Sequence, residues 1–232
     1  KGRMIKSKEN KKTVIFGHGY GRNRLQTDVP LLEIVEELNK KGINVIMFDM
    51  RNSGESQSAV TTVGYDESYD LLGAYDYVVS RSDVSNDVIL DGFSMGAVAV
   101  ILAAEKEPAI KKVIADATFA DLEIYMQEKL TIWSKLPSIP FNFTCIQLTP
   151  FISDIDIKEV SPMNKVKKLK NTKILLIHGT GDKDIDIKNS RIIASNYNNA
   201  KLVEFPNAEH VKSFASDKER YLQTIETFIL QN

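Results

Sequence analysis

Cysteine is nearly absent from this chain. Cys145 stands alone, so no internal disulfide can form and no second thiol sits at zinc-ligand spacing. Its thiol reads as buried or incidental rather than catalytic. Histidine is almost as scarce, and His18, His178 and His210 are the whole supply of imidazole. Neither sign of charge dominates, with 30 Lys and Arg against 31 Asp and Glu, so neither nucleic acid nor an anionic membrane surface is an expected partner. No apolar run approaches the ~18 residues of a membrane span, and no signal-peptide pattern opens the chain. The expected location is cytoplasmic. Because the first residue is Lys1 rather than methionine, an extracytoplasmic, anchored form is the alternative if a preceding segment was removed. Repeats and low-complexity tracts are missing too. At 232 residues the chain can bury a core without metal or disulfide, and it reads as a single domain spanning 1–232.

What is present is an alternation. Short runs rich in Val and Ile at 13–16, 45–48, 88–90, 113–115, 174–177 and 202–205 predict strands covered on both faces. Helical patterns at about 29–40, 67–80, 95–105, 187–197 and 213–230 lie between or after them, the first ending on Lys40-Lys41-Gly42. The order predicts an α/β fold with a mostly parallel, doubly wound sheet. One interval, 117–173, breaks the rhythm and holds Pro137, Pro140, Pro150 and Pro162, four of the seven prolines. No single long helix can fill it. It reads as a cap insert of short helices, in which Leu122, Met126, Leu130 and Trp133 share one helical face. That face suits packing against the main domain, substrate contact, or both.

The chemistry concentrates at Gly92-Phe93-Ser94-Met95-Gly96, which follows the apolar strand Val88-Ile89-Leu90 and opens the helical run from Ala97. Strand, Gly-x-Ser-x-Gly and helix together make the context of a nucleophilic serine. The flanking glycines permit a tight turn, and the helix N-terminus beneath offers unpaired N–H groups to a developing oxyanion. Ser94 needs a base to be nucleophilic at neutral pH. His18 and His178 sit at strand ends before glycines, as loop braces do. His210 lies in the loop between the last strand and the last helix, where an imidazole can reach the serine, and is the expected base. Asp182, after the penultimate strand, is the expected orienting acid. Its neighbours Asp184 and Asp186 suit loop shaping or helix capping instead. The order Ser94, Asp182, His210 is the one this architecture requires. For the oxyanion, backbone N–H groups of Met95 and Tyr20 are the expected donors, the latter from Gly17-His18-Gly19-Tyr20-Gly21. That glycine loop lacks the residues of a P-loop and the spacing of a dinucleotide fingerprint.

With these residues in view, the chain resembles the α/β-hydrolase superfamily, and within it small bacterial hydrolases similar to serine aminopeptidases and monoacylglycerol lipases. The resemblance rests on Gly17-His18-Gly19-Tyr20-Gly21, Asp49-Met50-Arg51-Asn52-Ser53-Gly54-Glu55-Ser56, Gly92-Phe93-Ser94-Met95-Gly96, His178-Gly179-Thr180-Gly181-Asp182 and Glu209-His210, and runs from about Thr13 to the end. It implies a Ser94/Asp182/His210 triad, an oxyanion hole from Tyr20 and Met95, and neither metal nor organic cofactor. Asp116-Ala117-Thr118-Phe119 and Val160-Ser161-Pro162 look like the segments that bound the cap in such proteins. Two departures stand out. Only about a dozen residues precede the first core strand, where the family usually has further antiparallel strands that this chain is expected to lack. No propeller-sized domain accompanies the fold, which argues against a large-peptide protease.

Other conspicuous residues have structural readings. Asp49 and Arg51 suit loop fixing beside the nucleophile, Glu67 and Asp70 the first turn of their helix, and Lys165-Val166-Lys167-Lys168-Leu169-Lys170 a solvated surface or a basic rim. The leading expectation is a serine carboxylesterase acting on a small-molecule ester. A peptidase or amidase is the alternative, and a non-catalytic binding protein the third reading.

Overall fold

A computed structural model describes residues 1–153 and 155–231; the side chains of Trp133 and of residues 151–153 lie outside that description. Seven strands form one sheet in the order β1-β3-β2-β4-β5-β6-β7. They are β1 (Gly2–Ile5), β2 (Lys12–Gly17), β3 (Ile43–Phe48), β4 (Val88–Phe93), β5 (Lys112–Asp116), β6 (Lys173–Gly179) and β7 (Ala200–Phe205). All neighbouring pairs are parallel except β1 with β3. The chain has the α/β-hydrolase fold.

Successive strand residues point to opposite faces, and both faces are covered. Ile15, Leu90, Val113 and Leu176 pack with Leu71, Tyr75 and Val78 of α2 (Tyr65–Val79) and with α3 (Met95–Lys106). Val14, Ile89, Ile114 and Ile177 face the other way, against Leu31, Ile34, Val35 and Leu38 of α1 (Leu31–Lys40) and a C-terminal helix. The i, i+3, i+4, i+7 spacing in α1 explains why that helix is amphipathic. In α3, by contrast, every residue from Met95 to Ala104 is buried. A helix apolar all round must be central, and this one begins directly beneath Ser94.

Three local predictions need correction. β1 was unexpected, since Gly-Arg-Met-Ile shows neither alternation nor β-branched enrichment; pairing with the edge of β3 makes it a strand. The predicted helix 213–230 is two: α8 (Ser213–Ser216) and α9 (Lys218–Leu230). Asp217 separates them with a non-helical backbone, and its carboxylate accepts from the Arg220 N–H at 3.1 Å. The insert's helices are longer than short: α4 (Leu122–Ser134) and α5 (Ser138–Ser153), followed by α6 (Pro162–Lys165). α5 accommodates Pro140 because Ile139, immediately before it, is extended rather than helical, whereas Pro150 lies inside the helix. Leu122, Ile146, Ile155, Ile157 and Val160 build a third core with Val98, Leu102 and Ile185, and Met126 and Leu130 pack on it.

Candidate active site

A parallel sheet sends its strand ends to one edge, so the loops after β2, β4, β6 and β7 converge there. They carry Tyr20, Ser94, Asp182 and His210. Ser94 occupies φ 53°, ψ −113°, a left-handed strain held between β4 and α3. A side chain on Gly92 would overlap the Gly96 carbonyl, and one on Gly96 the Gly17 carbonyl. The turn therefore demands glycine at both positions. The Ser94 N–H donates to the Asp116 carbonyl at 2.8 Å, tying the turn to β5.

The hydroxyl of Ser94 lies 3.0 Å from His210 Nε2, and His210 Nδ1 lies 2.7 Å from Asp182 Oδ2. The other oxygen, Oδ1, accepts the backbone N–H groups of Asp184 at 2.9 Å and Ile185 at 2.8 Å. Burial opposes charge on Asp182, but hydrogen bonds from His178 and His210, the nearby imidazole charge and the Ile185 N–H hold its carboxyl well below the usual carboxylate range. Burial likewise opposes protonation of His210, yet the hydrogen bond and charge of Asp182 outweigh it and raise its pKa above the ordinary 6.5. The expected base is thus basic enough to take a proton and is oriented by an ionised acid.

The remaining histidines are braces. His18 donates from Nδ1 to the Gly19 carbonyl at 2.9 Å and accepts the Met50 N–H on Nε2 at 3.0 Å. Burial lowers its pKa and favours the neutral form. His178 pairs with Ser190 Oγ at 2.7 Å and the Ile185 carbonyl at 2.8 Å, with Asp182 Oδ2 3.4 Å away. Of the rival acids, Asp186 accepts the Lys188 N–H at 2.8 Å at the start of α7 (Lys188–Ser195), while Asp184 donates its own N–H to Asp182.

The glycine loop leans on the serine: a side chain on Gly19 would come within 3.6 Å of Ser94 Cβ. Tyr20 and Met95 border the same cavity as Ser94, and among the described residues neither backbone N–H has a hydrogen-bond acceptor. Gln26 holds this loop, its Oε1 accepting the Gly19 N–H at 2.6 Å while its amide donates to Asp28 at 2.7 Å. No sequence pattern marks Gln26, which lies in an irregular loop. Behind it, Asp49 accepts the Arg24 and Glu55 N–H groups at 2.8 and 3.0 Å and pairs with the Arg24 guanidinium. A side chain on Gly54, at φ +52°, would collide with this carboxylate.

Three bland readings need revision. Glu67 does serve its helix start, accepting from the Thr62 and Gly64 N–H groups, but Asp70 instead holds Arg51 through three hydrogen bonds of 2.8–3.1 Å. Lys165 is buried beside Glu105 and Glu159 rather than solvated. Cys145 is an exposed free thiol. Among the described residues, no helix is long and apolar enough to cross a membrane.

Comparison with known proteins places this geometry in a family. The chain is 25% identical to the uncharacterized protein YqkD of Bacillus subtilis (strain 168) over 232 residues, covering 99% of this chain and 74% of that protein. The Pyrococcus furiosus esterase Pf2001 superposes with a TM-score of 0.77 at 25% identity, covering 98% of this chain and 85% of its own. Est1E from Butyrivibrio proteoclasticus, solved with ferulic acid bound, shares the fold with a TM-score of 0.77 at 21% identity, covering 99% and 94%. The model of the prolyl oligopeptidase family, Peptidase_S9, matches residues 32–232. This chain is a member of the prolyl oligopeptidase family of hydrolases, within the α/β-hydrolase superfamily.

Proposed function

We propose that the protein is a serine hydrolase that cleaves small carboxylic esters through an acyl-enzyme. One observation carries the reading: the unbroken hydrogen-bond chain from Ser94 through His210 to Asp182, at 3.0 and 2.7 Å. Ser94 Oγ attacks the acyl carbon as its proton passes to His210 Nε2. The carbonyl oxygen becomes an oxyanion facing the N–H groups of Met95 and Tyr20, the first also at the positive end of α3. The tetrahedral species collapses, and imidazolium protonates the departing oxygen. Water then attacks the acyl-enzyme with His210 again as base, returning acid and free Ser94. Residues 117–173 act as a cap on a single domain, because Leu122, Tyr125 and Met126 border the same cavity as Ser94.

Ser94→Ala is expected to abolish hydrolysis of short p-nitrophenyl esters while leaving the circular dichroism spectrum unchanged. Undiminished turnover in that variant would overturn the proposal. Membership of a family described by peptidase activity favours an amidase as the second reading. Comparing kcat/KM for aminoacyl p-nitroanilides and p-nitrophenyl esters decides between them. Labelling of Ser94 by a fluorophosphonate separates both from a non-catalytic scaffold.

A further inference from the structure

Two cavities of opposite character meet at Ser94. The larger, about 540 Å³, is walled by Val63, Met95, Phe119, Leu122, Met126 and Ile185. The smaller, about 290 Å³, is walled by Arg22, Asp28, Lys129, Lys183, Asp184 and His210. Ser94, Tyr20 and Tyr125 border both, but His210 borders only the polar one.

The chemistry orients a substrate between them. In acyl transfer the base that took the serine proton returns it to the leaving atom, so that atom must lie on the imidazole side. Here that side is the polar cavity. The acyl carbon's other substituent then points to the apolar side. Water that resolves the acyl-enzyme must also approach His210, and the polar cavity provides a wettable route while the acyl group stays dry.

One helix separates the two spaces. On α4, Leu122, Tyr125 and Met126 border the apolar cavity, whereas Tyr125, Lys129 and Ile132 border the polar one. These are i, i+3, i+4, i+7 and i+10 positions, so one helical stripe changes character along its length. Tyr125 sits at the change, stacked on Phe119 with ring centroids 5.1 Å apart. Burial drives its phenol pKa up to about 12, so the divider stays uncharged well into the alkaline range. Lys129 Nζ donates to the Lys183 carbonyl at 2.6 Å, fastening α4 to the segment that follows Asp182.

We propose, resting on the hydrolase reading above, that the apolar cavity takes an extended acyl chain and the polar cavity takes a polar leaving group. Helix α4 sets the division at Tyr125. The substrate class is an ester of a medium-length or longer apolar acid with an alcohol bearing hydroxyl or charged groups. An apolar alcohol would strip water from Arg22, Asp28 and Lys183 without replacing its hydrogen bonds.

The test measures kcat/KM by proton release for four esters: acetyl and octanoyl esters of glycerol and of 1-hexanol. Octanoylglycerol is expected to be best, with an octanoyl preference of ~10-fold or more on either alcohol. Met126→Trp should cut the octanoyl-to-acetyl ratio by ~10-fold without changing the glycerol-to-hexanol ratio. Lys129→Leu should move the alcohol ratio and leave the acyl ratio in place. Met126→Phe, a smaller step, repeats the measurement if the tryptophan variant does not fold. An acetyl preference in the wild type, or Met126 variants that shift the alcohol ratio instead, overturns the division while leaving the hydrolase reading intact. Loss of all turnover together with failure of Ser94 to react with a fluorophosphonate overturns both. If amides alone are cleaved, octanoyl and acetyl anilides read the acyl ratio in the same way.

Discussion

Two sets of buried carboxyl groups lie near the carboxyl edge of the sheet, and their surroundings push their pKa values in opposite directions. Asp182, in the loop after β6, is surrounded by donors: two backbone N–H groups and the imidazole of His210. Asp91 on β4 and Asp116 on β5 are buried more deeply still. Among the described residues, neither oxygen of Asp91 has a hydrogen-bond partner, nor has Oδ1 of Asp116. Asp116 Oδ2 accepts one bond, from the Tyr221 hydroxyl at 3.0 Å. Burial, reinforced by Asp116, pushes Asp91 far above the ordinary 3.8. Burial pushes Asp116 up to about 7 despite the Tyr221 bond. Burial raises the pKa of every one of these acids, and only where several donors are aimed at the carboxylate is that rise overcome. The loop around Asp182 supplies them, and the strands around Asp91 and Asp116 have spent theirs on the sheet.

The sharpest break of this contrast is Asp182→Asn, which removes the ionised partner and disturbs the His210 tautomer. Its kcat is expected to fall by ~10⁴, measured with an ester that saturates the wild type. The pH profile follows from the same pair. The proposed mechanism requires neutral His210, whose pKa lies above 6.5 in the presence of Asp182. Activity should thus rise with pH through an acid limb above 6.5, and this limb should move downward in the residual activity of Asp182→Asn.

The unsupported acids predict a stability effect of the opposite sign. An unfolded Asp116 ionises near 3.8, whereas the folded group keeps its proton to about 7. Between these values the folded state binds more protons, so stability falls as pH rises, and the penalty is complete above about 7. Asp116→Asn removes that titration. Its Tm relative to wild type should climb between pH 4 and 7 and then level off, at about 2–4 °C for each kcal/mol removed. A difference independent of pH would sink this account. The smallest change is Tyr221→Phe, which deletes the one bond to Asp116 and should lower stability by ~1 kcal/mol in urea unfolding.

How much of this was legible follows from the range of each interaction. The inner strands announce themselves because burial on both faces selects Val and Ile locally, as in Val113-Ile114-Ala115 and Ile174-Leu175-Leu176-Ile177. The turn at Ser94 is legible because its glycines are required by contacts within five residues and with the neighbouring β2. β1 is illegible since its order comes from β3, forty or more positions away. Asp70 misleads for a related reason. Its helix position invites a capping role, but Arg51 arrives from another loop and takes the carboxylate. Asp91 sits beside the most conspicuous motif in the chain without any local sign of its isolation. Asp91 alternates in phase with Ile89 and Phe93 on β4, and that face is covered by the distant α1 and α9.

By itself the sequence determined the alternation that builds a parallel sheet and the glycine-flanked turn that strains Ser94, because both depend on residues close in the chain. It also supplied a short list of acids and bases. The tertiary structure alone decided which of them meet, which carboxyls keep their charge, and that Ser94 stands between an apolar and a polar cavity. Those outcomes depend on donors, neighbours and solvent exclusion contributed by distant segments, and no local pattern encodes them.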